Sequence, residues 1–568
     1  MNAYPKYRAP ETVEIEDRSW PKRRIISSPV IVPVDLRDGN QAFVNPMQVE
    51  TKIRYFRMLC EIGFKEIEVA YPAASNEEFQ FVRQLITGKL IPDDVRIAVF
   101  TAARPDLIER TMAAIEGVKA ATVHCYIAAS ELHRIFVFNK SREELIRTAV
   151  DGTRRIAEAI ETRGSRGAIN YEFSPEEFSD SDTDFIVEMA EAVHDAWQPR
   201  GQGDFILNLP STVERRPPNE YADKIEYFTR RYRYMDDTVI SVHTHNDQGC
   251  AIAAAEMAVL AGASRVEGTL AGHGERTGNM DIIAFALNLQ SRAVETGLDF
   301  SRLPGITAFI EEVSEIKTHP RAPYAGELVF TAFSGTHQDA IRKAMARREE
   351  ISGHFRQGWK MPYLHLDPAD VGRSYEKLIR INSQSGRGGI AYILEERFHI
   401  RVPKEMQSAV ARAIQQEAEA TGKEITPDEV YRIFREKIVE PADARLKLIE
   451  FRMSRPVSPE VAQTGIELAL EIDGAPHRFL GVGAGPIEAV ASALGGCLAI
   501  PGFSFESYSE HALGSGADAQ AIAYVGVRID GRAYYGAGID GSINLAAVKA
   551  LLSALNASAS GNYHATNG

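Results

Sequence analysis

The chain is 568 residues long, 44% apolar and 25% charged, enough for two to four domains with full cores. Its formal net charge of −14 argues against nucleic acid as a partner, and no apolar run is long enough to span a membrane. Four scattered cysteines (Cys60, Cys125, Cys250, Cys497) form no CxxC pair, which points to a reducing, cytoplasmic setting and away from a thiolate metal site.

Residues 1–28 read as a polar, proline-bearing arm without periodicity, anchored at Trp20-Pro21. The apolar run Val30 to Leu36 predicts a buried strand, and it ends in Arg37-Asp38-Gly39-Asn40-Gln41. Parallel α/β proteins keep their chemistry at that end of a strand. Asp38 can hold a metal or act as a base, and Arg37 can stabilise developing negative charge. Taken alone, such a motif is more often a polar turn.

Ile53, Phe56 and Cys60 then recur at helical spacing and Gly63 ends that helix. Ile67 and Val69 mark a second strand, and Ser75 with Glu78 forms a capping-box pattern. Further strands are predicted at Ile97–Phe100, Ala121–Tyr126, Ala168–Phe173, Phe205–Leu209, Thr238–His243 and Arg265–Leu270. Helices lie between them, the clearest carrying Phe185, Met189, Val193 and Trp197 on one stripe. Eight strands, each followed by a helical pattern over residues 29–305, predict a (β/α)8 TIM barrel. A doubly wound sheet is the alternative, but no dinucleotide fingerprint follows the first strand.

Residues 306–438 change to helices and polar loops, a linker region. Two loops stand out there, Ser334-Gly335-Thr336-His337-Gln338-Asp339 and the run from Asn382 to Gly389. The second resembles a phosphate cradle without the P-loop ending, and reads as either a hinge or a ligand contact. Residues 439–568 form an α+β module. Alternating Ile466, Leu468, Leu470 and Ile472 lead to an Asp473-Gly474 hairpin, a glycine-rich turn (Gly481 to Pro486) and a helix from Ile487 to Leu494. The order returns with Asp530-Gly531, Gly536-Ala537-Gly538 and a helix from Ile543 to Leu555, which suggests a duplicated β-hairpin–helix unit for binding or dimerisation.

The chemistry gathers at strand ends. His243 and His245 close the seventh strand and point the same way, because strand side chains alternate faces. After the eighth strand comes Gly272-His273-Gly274-Glu275-Arg276-Thr277-Gly278-Asn279. The first and eighth strands of a barrel are neighbours, so Asp38, His243, His245 and Asn279 converge on one rim. That oxygen and nitrogen set suits Zn²⁺, Mn²⁺ or Mg²⁺. His124, Glu172, Ser174 and Thr212 add polar groups at the same face.

Leu-Arg-Asp-Gly-Asn-Gln, His-Thr-His-Asn-Asp and Gly-Glu-Arg-Thr-Gly-Asn together resemble the acyl-CoA-condensing branch of the DRE-TIM metallolyases. Asp17 to Pro21, Gly63 to Val69, Tyr171 to Glu176 and Asn382 to Gly386 are similar, more closely, to the long-type 2-isopropylmalate synthase family. The resemblance covers nearly the whole chain. It implies a Claisen-type condensation of acetyl-CoA with 2-oxoisovalerate at a divalent metal, followed by thioester hydrolysis. It also implies a homodimer in which linker residues of one subunit reach the other's barrel, and a C-terminal module that binds leucine as feedback inhibitor. Arg37, Glu172, His337 and Tyr375 are then the expected catalytic residues, the last three around the base that deprotonates acetyl-CoA. His124, Ser174, Thr212 and Glu275 are expected to contact substrate, and Gly483, Gly485, Pro486 and Gly538 to form the regulatory turns. Two departures stand out: Val30 to Val34 replaces an Arg-Trp-Cys-Ser type strand, and Ala484 stands where the family usually has Asn. Citramalate and homocitrate synthases share the scaffold, and a catalytically silent amino-acid sensor is the reading from another class.

Overall fold

Strands of four to eight residues alternate with amphipathic helices from Val30 onward, and buried parallel strands of that kind need helices over their outer faces. The structure, a computed structural model, describes residues 6, 11–163, 168–197, 203–373, 387–421, 425–454, 463–514 and 519–559. The order is β1 (Val30–Pro33), α1 (Val49–Ile62), β2 (Glu66–Ala70), α2 (Asn76–Thr87), β3 (Arg96–Ala102), α3 (Pro105–Ala114), β4 (Ala121–Ala128) and α4 (Arg142–Thr162). It continues with β5 (Ile169–Glu176), α5 (Thr183–Trp197), β6 (Phe205–Asn208), α6 (Pro218–Arg231), β7 (Thr238–His243), α7 (Ala251–Ala261), β8 (Arg265–Gly268) and α8 (Ile282–Ser291). The strands are parallel and hydrogen-bonded in the order β1-β8-β7-β6-β5-β4-β3-β2. With β1 lying beside β2 at the seam, they make the expected (β/α)8 barrel.

Local signals explain the helix boundaries. The Ser75 hydroxyl accepts from the Glu78 N–H at 3.1 Å and starts α2; the Glu78 carboxylate, however, pairs with Lys52. Along α5, Phe185, Met189, Val193 and Trp197 are all buried, and Trp197 stacks on Tyr171 with ring centroids 4.9 Å apart. The N-terminal arm is pinned to α6: the Trp20 indole N–H donates to Asp223 at 2.8 Å and Arg18 pairs with the same carboxylate at 2.7 Å. The first strand stops at Pro33, three residues earlier than its apolar run suggests, because Val34 leaves the extended conformation.

The chain forms two compact units, the first spanning Met1–Val329 with Leu366–Arg373 and the second Phe330–His365 with Ser374–Gly568. The first unit continues past the barrel with α9 (Leu303–Ser314). The second opens with α10 (Gly335–Met345), α11 (Arg348–Phe355), α12 (Arg387–Phe398), α13 (Gln407–Thr421) and α14 (Pro427–Phe434). The run Ser334 to Asp339 is therefore the start of a helix rather than a loop, as is Arg387 to Gly389.

Two meanders complete the second unit: β9 (Leu446–Ser454), β10 (Thr464–Ile472) and β11 (Ala475–Gly483) before α15 (Pro486–Leu494), then β12 (Ser504–Leu513), β13 (Gln520–Ile529) and β14 (Arg532–Asp540) before α16 (Ile543–Ala559). The duplication is present, with one more strand per repeat than the hairpin pattern announces. β12 was hidden because most of its residues are exposed and show no apolar alternation. Both hairpins turn on Asp-Gly with positive φ at each residue, 50° and 86° at Asp473-Gly474 and 48° and 79° at Asp530-Gly531. The helices lie directly on strand backbone: a Cβ on Gly483 would meet the Ala489 nitrogen at 2.5 Å, and one on Gly538 would overlap the Ala546 carbonyl. Helices α12 to α14 pack their Leu394, Ile414, Val430 and Phe434 against Ile522 and Ala537 of the second meander. No helix among the described residues is long and apolar enough to cross a membrane.

Candidate active site

The Val34 carbonyl accepts from the N–H groups of Arg37 (3.2 Å), Asp38 (2.8 Å) and Gly39 (3.2 Å), which winds Asp35–Gly39 into a π-helical turn at the C-terminal end of β1. Such wide turns recur at functional sites. Asp35 anchors it from below: its Oδ1 accepts from the Tyr55 hydroxyl at 2.8 Å and the Leu270 N–H at 2.9 Å. Arg37 is clamped between two carboxylates, Nε to Glu68 at 2.6 Å and Nη1 to Asp38 at 2.7 Å, with its guanidinium carbon 4.1 Å from the Phe100 ring centroid.

His243 ends β7, and the chain beyond it pairs with the segment that follows β8. Met280 N–H donates to the Thr244 carbonyl at 2.8 Å, Asn246 N–H to Gly278 at 3.0 Å, and His245 bridges Asn279. Glycine is required in that segment, because a Cβ on Gly274 (φ 147°) would overlap the Asn279 amide. The result is the expected convergence. Asp38 Oδ2 receives the Asn279 amide at 2.7 Å and lies 3.6 Å from His243 Nε2 and 4.0 Å from His245 Nε2, and the two Nε2 atoms are 3.3 Å apart. All four residues are buried.

The electrostatics suit a cation. Burial alone would raise the Asp38 carboxyl, but Arg37, then His243, His245 and the Asn279 amide override it and hold it at about 2. Burial, reinforced by His243, brings His245 down to about 4, leaving a free lone pair at neutral pH. Burial opposes protonation of His243 as well, yet its hydrogen bond to Glu267 and the Asp38 and Glu267 charges together outweigh that and raise it. Asn279 Oδ1 is buried without a hydrogen-bond partner. A carboxylate, two imidazole nitrogens converging on one point and an orphaned amide oxygen fit a divalent ion with N and O preferences, and contain no sulfur.

The other expected residues divide. His124 bonds Glu68 through Nδ1 (2.7 Å) and the Ser174 hydroxyl through Nε2 (2.7 Å), so it belongs to the same buried cluster. Thr212 caps the Glu177 N–H at 2.9 Å from the rim, and exposed Glu275 receives the Gln41 amide at 3.1 Å. Glu172 lies inside the barrel rather than at its mouth: fully buried, it bonds Arg265 at 2.8 Å, and burial raises its carboxyl well above the usual range against the pull of that arginine. Four residues on and on the same strand face, Glu176 is half-buried; burial, then Glu177, raise its carboxyl, and both Arg37 and Asp38 act on it. His337 is exposed on α10 in the second unit, stacked on Tyr363 at 3.8 Å. Tyr375 and Asn382 to Gly386 lie outside the described residues. Gly483 ends β11, Gly485 caps α15, Pro486 is its first residue and Gly538 is in β14. Sequence reasoning passed over Glu68, Glu176 and Glu267. The available signal for the first was Glu66-x-Glu68 in a run otherwise fit for a buried strand, where neither carboxylate could face water.

A TIM barrel with a buried Asp/His candidate metal site at the C-terminal ends of its strands is the class this fold and site define, and residues 28–310 match the HMGL-like family model. Residues 327–395 match the post-catalytic domain-like region of α-isopropylmalate synthase, and residues 424–559 the LeuA allosteric (dimerisation) domain. The 2-isopropylmalate synthase of Ralstonia nicotianae is 44% identical over 97% of this chain and 94% of its own, and that of Rhodospirillum rubrum 44% over 97% and 98%. The enzyme of Clostridium acetobutylicum is 43% identical over 98% of this chain and 99% of its own. The chain belongs to the 2-isopropylmalate synthase family, in its long form.

Proposed function

We propose that the barrel mouth joins the methyl carbon of acetyl-CoA to the carbonyl carbon of 2-oxoisovalerate and releases 2-isopropylmalate and free CoA after thioester hydrolysis, in leucine biosynthesis. The observation that carries this is the meeting of Asp38, His243 and His245 beside Arg37, in a chain similar over its whole length to enzymes of that name. Asp38, His243 and His245, with Asn279 beside them, would hold a divalent ion, which supplies Lewis acidity to the ketone. Arg37 adds a fixed positive charge where the alkoxide develops; its two ion pairs and its stacking on Phe100 hold it in place. Thr212 and Ser174 offer hydroxyls for the substrate carboxylate and carbonyl.

The acetyl-CoA methyl is a weak acid, so its proton needs a positioned base. We assign His337 and Tyr375 to that proton, and Glu176 in place of Glu172 as the carboxylate at the mouth. The raised carboxyl of Glu176 supports this, since a base closer to neutral pH takes a proton more readily. The C-terminal domain is inferred to pair two chains and to bind leucine near Gly483, Gly485, Pro486 and Gly538.

Free-thiol release from acetyl-CoA with a panel of 2-oxo acids, each with and without leucine, tests the reading. Preference for 2-oxoisovalerate and inhibition by leucine are expected. Preference for pyruvate or 2-oxoglutarate would change the substrate, and no thiol release in metal-replete protein would overturn the enzyme.

A further inference from the structure

Beneath the mouth the barrel interior is built from ion pairs where this fold ordinarily layers Val, Ile and Leu. Arg265, the first residue of β8 and only 1% exposed, donates to Glu172 on β5 (2.8 Å), Ser241 on β7 (2.8 Å), Glu267 on its own strand (2.6 Å) and Glu66 on β2 (3.2 Å). One oxygen of Glu267, Oε1, is therefore held by a guanidinium. The other, Oε2, accepts from the Asn208 amide at 3.3 Å and lies 2.9 Å from His243 Nδ1. His243 turns its remaining nitrogen, Nε2, to Asp38 and His245. His245 has no such support, since its Nδ1 is buried without a partner.

We propose that Glu267, anchored by Arg265, is the positioning residue that fixes His243 as the Nδ1–H tautomer. Its Nε2 lone pair then stays turned to the point shared with Asp38 and His245, which sets the affinity of that point for a divalent cation. The inference rests on the reading of Asp38, His243 and His245 as metal-holding residues.

A carboxylate is needed here, not merely a polar group. It offers only acceptors, so the guanidinium and the imidazole N–H each meet a lone pair. A glutamine of the same shape must turn its oxygen to one neighbour and its NH₂ to the other. Arg265 has only donors, so the oxygen goes to Arg265 and the NH₂ to His243. Nδ1 then becomes the acceptor, the ring proton resides on Nε2, and the nitrogen facing Asp38 is blocked. Partners that back ligand histidines in this way are worth about 10–100-fold in metal affinity.

The test is a chelator-competition titration of metal-free protein with Mn²⁺ and with Zn²⁺, on wild type, Glu267→Gln, Glu66→Gln and His243→Ala, with thermal melts alongside. Glu66→Gln disturbs the same guanidinium from another strand, and Glu66 bonds Arg265 and the Thr122 hydroxyl rather than Glu267 or His243. Glu267→Gln is expected to bind both ions about 10–100-fold more weakly while folded, and Glu66→Gln to bind as wild type does. Wild-type affinity in Glu267→Gln, with binding lost in His243→Ala, overturns the proposal and leaves the metal site standing. Equal losses in Glu267→Gln and Glu66→Gln also overturn it, as general damage to the interior. Wild-type affinity in His243→Ala removes the metal-site reading itself. Should Glu267→Gln fail to fold, Glu267→Asp decides: it keeps the charge for Arg265 but withdraws the acceptor from Nδ1 by about 1.5 Å, and undiminished affinity there overturns the proposal.

Discussion

The Nε2 atoms of His243 and His245 face each other at 3.3 Å, with the Asp38 carboxylate 3.6 Å from one and 4.0 Å from the other. Two ring nitrogens this close cannot both carry a proton; with one proton they share a hydrogen bond, and with none they bring two lone pairs to one point. A cation between them and the carboxylate would meet all three, and Asn279, whose amide nitrogen bonds Asp38, has a buried oxygen without a hydrogen-bond partner.

Asp38→Ala and His245→Ala should therefore lose the ion, and turnover with it, while the melting temperature stays within a few degrees of wild type. Metal content after desalting, read against turnover, checks this; full activity in either variant would sink the assignment. Binding should also weaken as the pH falls, because the ion competes with protons for the ring nitrogens. Despite burial, Glu267 and Asp38 together raise His243 above its ordinary 6.5, so the weakening should begin before the pH has fallen to 6.5.

Arg37→Lys should keep the metal and lose most of the rate. One ammonium cannot reach Glu68 and Asp38 together as the guanidinium fork does at 2.6 and 2.7 Å, nor stack on Phe100. A fall in kcat of about 100–1,000-fold is the expected scale for misplacing a donor that stabilises developing charge. Metal content equal to wild type in the same preparation separates this from loss of the site.

The barrel was legible because its signal is repetitive and local: short β-branched runs, helices with one apolar stripe, and polar residues after each strand. Asp38, His243 and His245 were legible for the same reason, since strand ends and barrel closure place them together without knowledge of any side-chain contact. The π-helical turn was not, because an apolar Val34 and Leu36 continue the strand pattern while the backbone turns at Val34. Nor was the charged interior. In the sequence Glu66, Arg265 and Glu267 give no sign of one another, and only their mutual pairing, with Glu172, across β2, β5 and β8 lets them be buried, while Glu68 is held by Arg37 and His124. The same ambiguity put Glu172 at the mouth, when strand β5 runs on to Glu176.

Asp35 yields a prediction about pH. Burial lifts its carboxyl from an ordinary 3.8 to about 7, against the hydrogen bonds from Tyr55 and Leu270. The folded state thus holds a proton that the unfolded chain releases near 3.8. This contribution is fully present below that pH and is lost as the pH climbs through 7. Asp35→Asn keeps an oxygen for Tyr55 and Leu270 and removes the titration. Its melting temperature should fall less than that of wild type between pH 5 and pH 8, by about 2–4 °C for each kcal/mol no longer lost. Parallel melting profiles would show that Asp35 is already ionised in the fold. Asp35→Ala, by contrast, strands both donors at a cost of about 1–3 kcal/mol for each.

The two meanders of the second unit make the last prediction. In each, a helix rests on the backbone of the closing strand because glycine leaves room: Gly481 and Gly483 under α15, Gly536 and Gly538 under α16. A methyl group on Gly538 would overlap the Ala546 carbonyl and reach the Ala550 nitrogen at 2.5 Å, and both belong to helix backbone that cannot rotate aside. Gly538→Ala must therefore lift α16, whose Ala547, Leu551 and Leu555 are part of the core shared by both meanders. Overpacking of this kind costs about 1–3 kcal/mol. The barrel has its own core in the other unit, so the loss should appear as an earlier calorimetric transition of the second unit, with the metal affinity of the first unchanged. Leucine inhibition should weaken in the same variant while thiol release without leucine persists. A single transition shifted as a whole would mean instead that the two units unfold together.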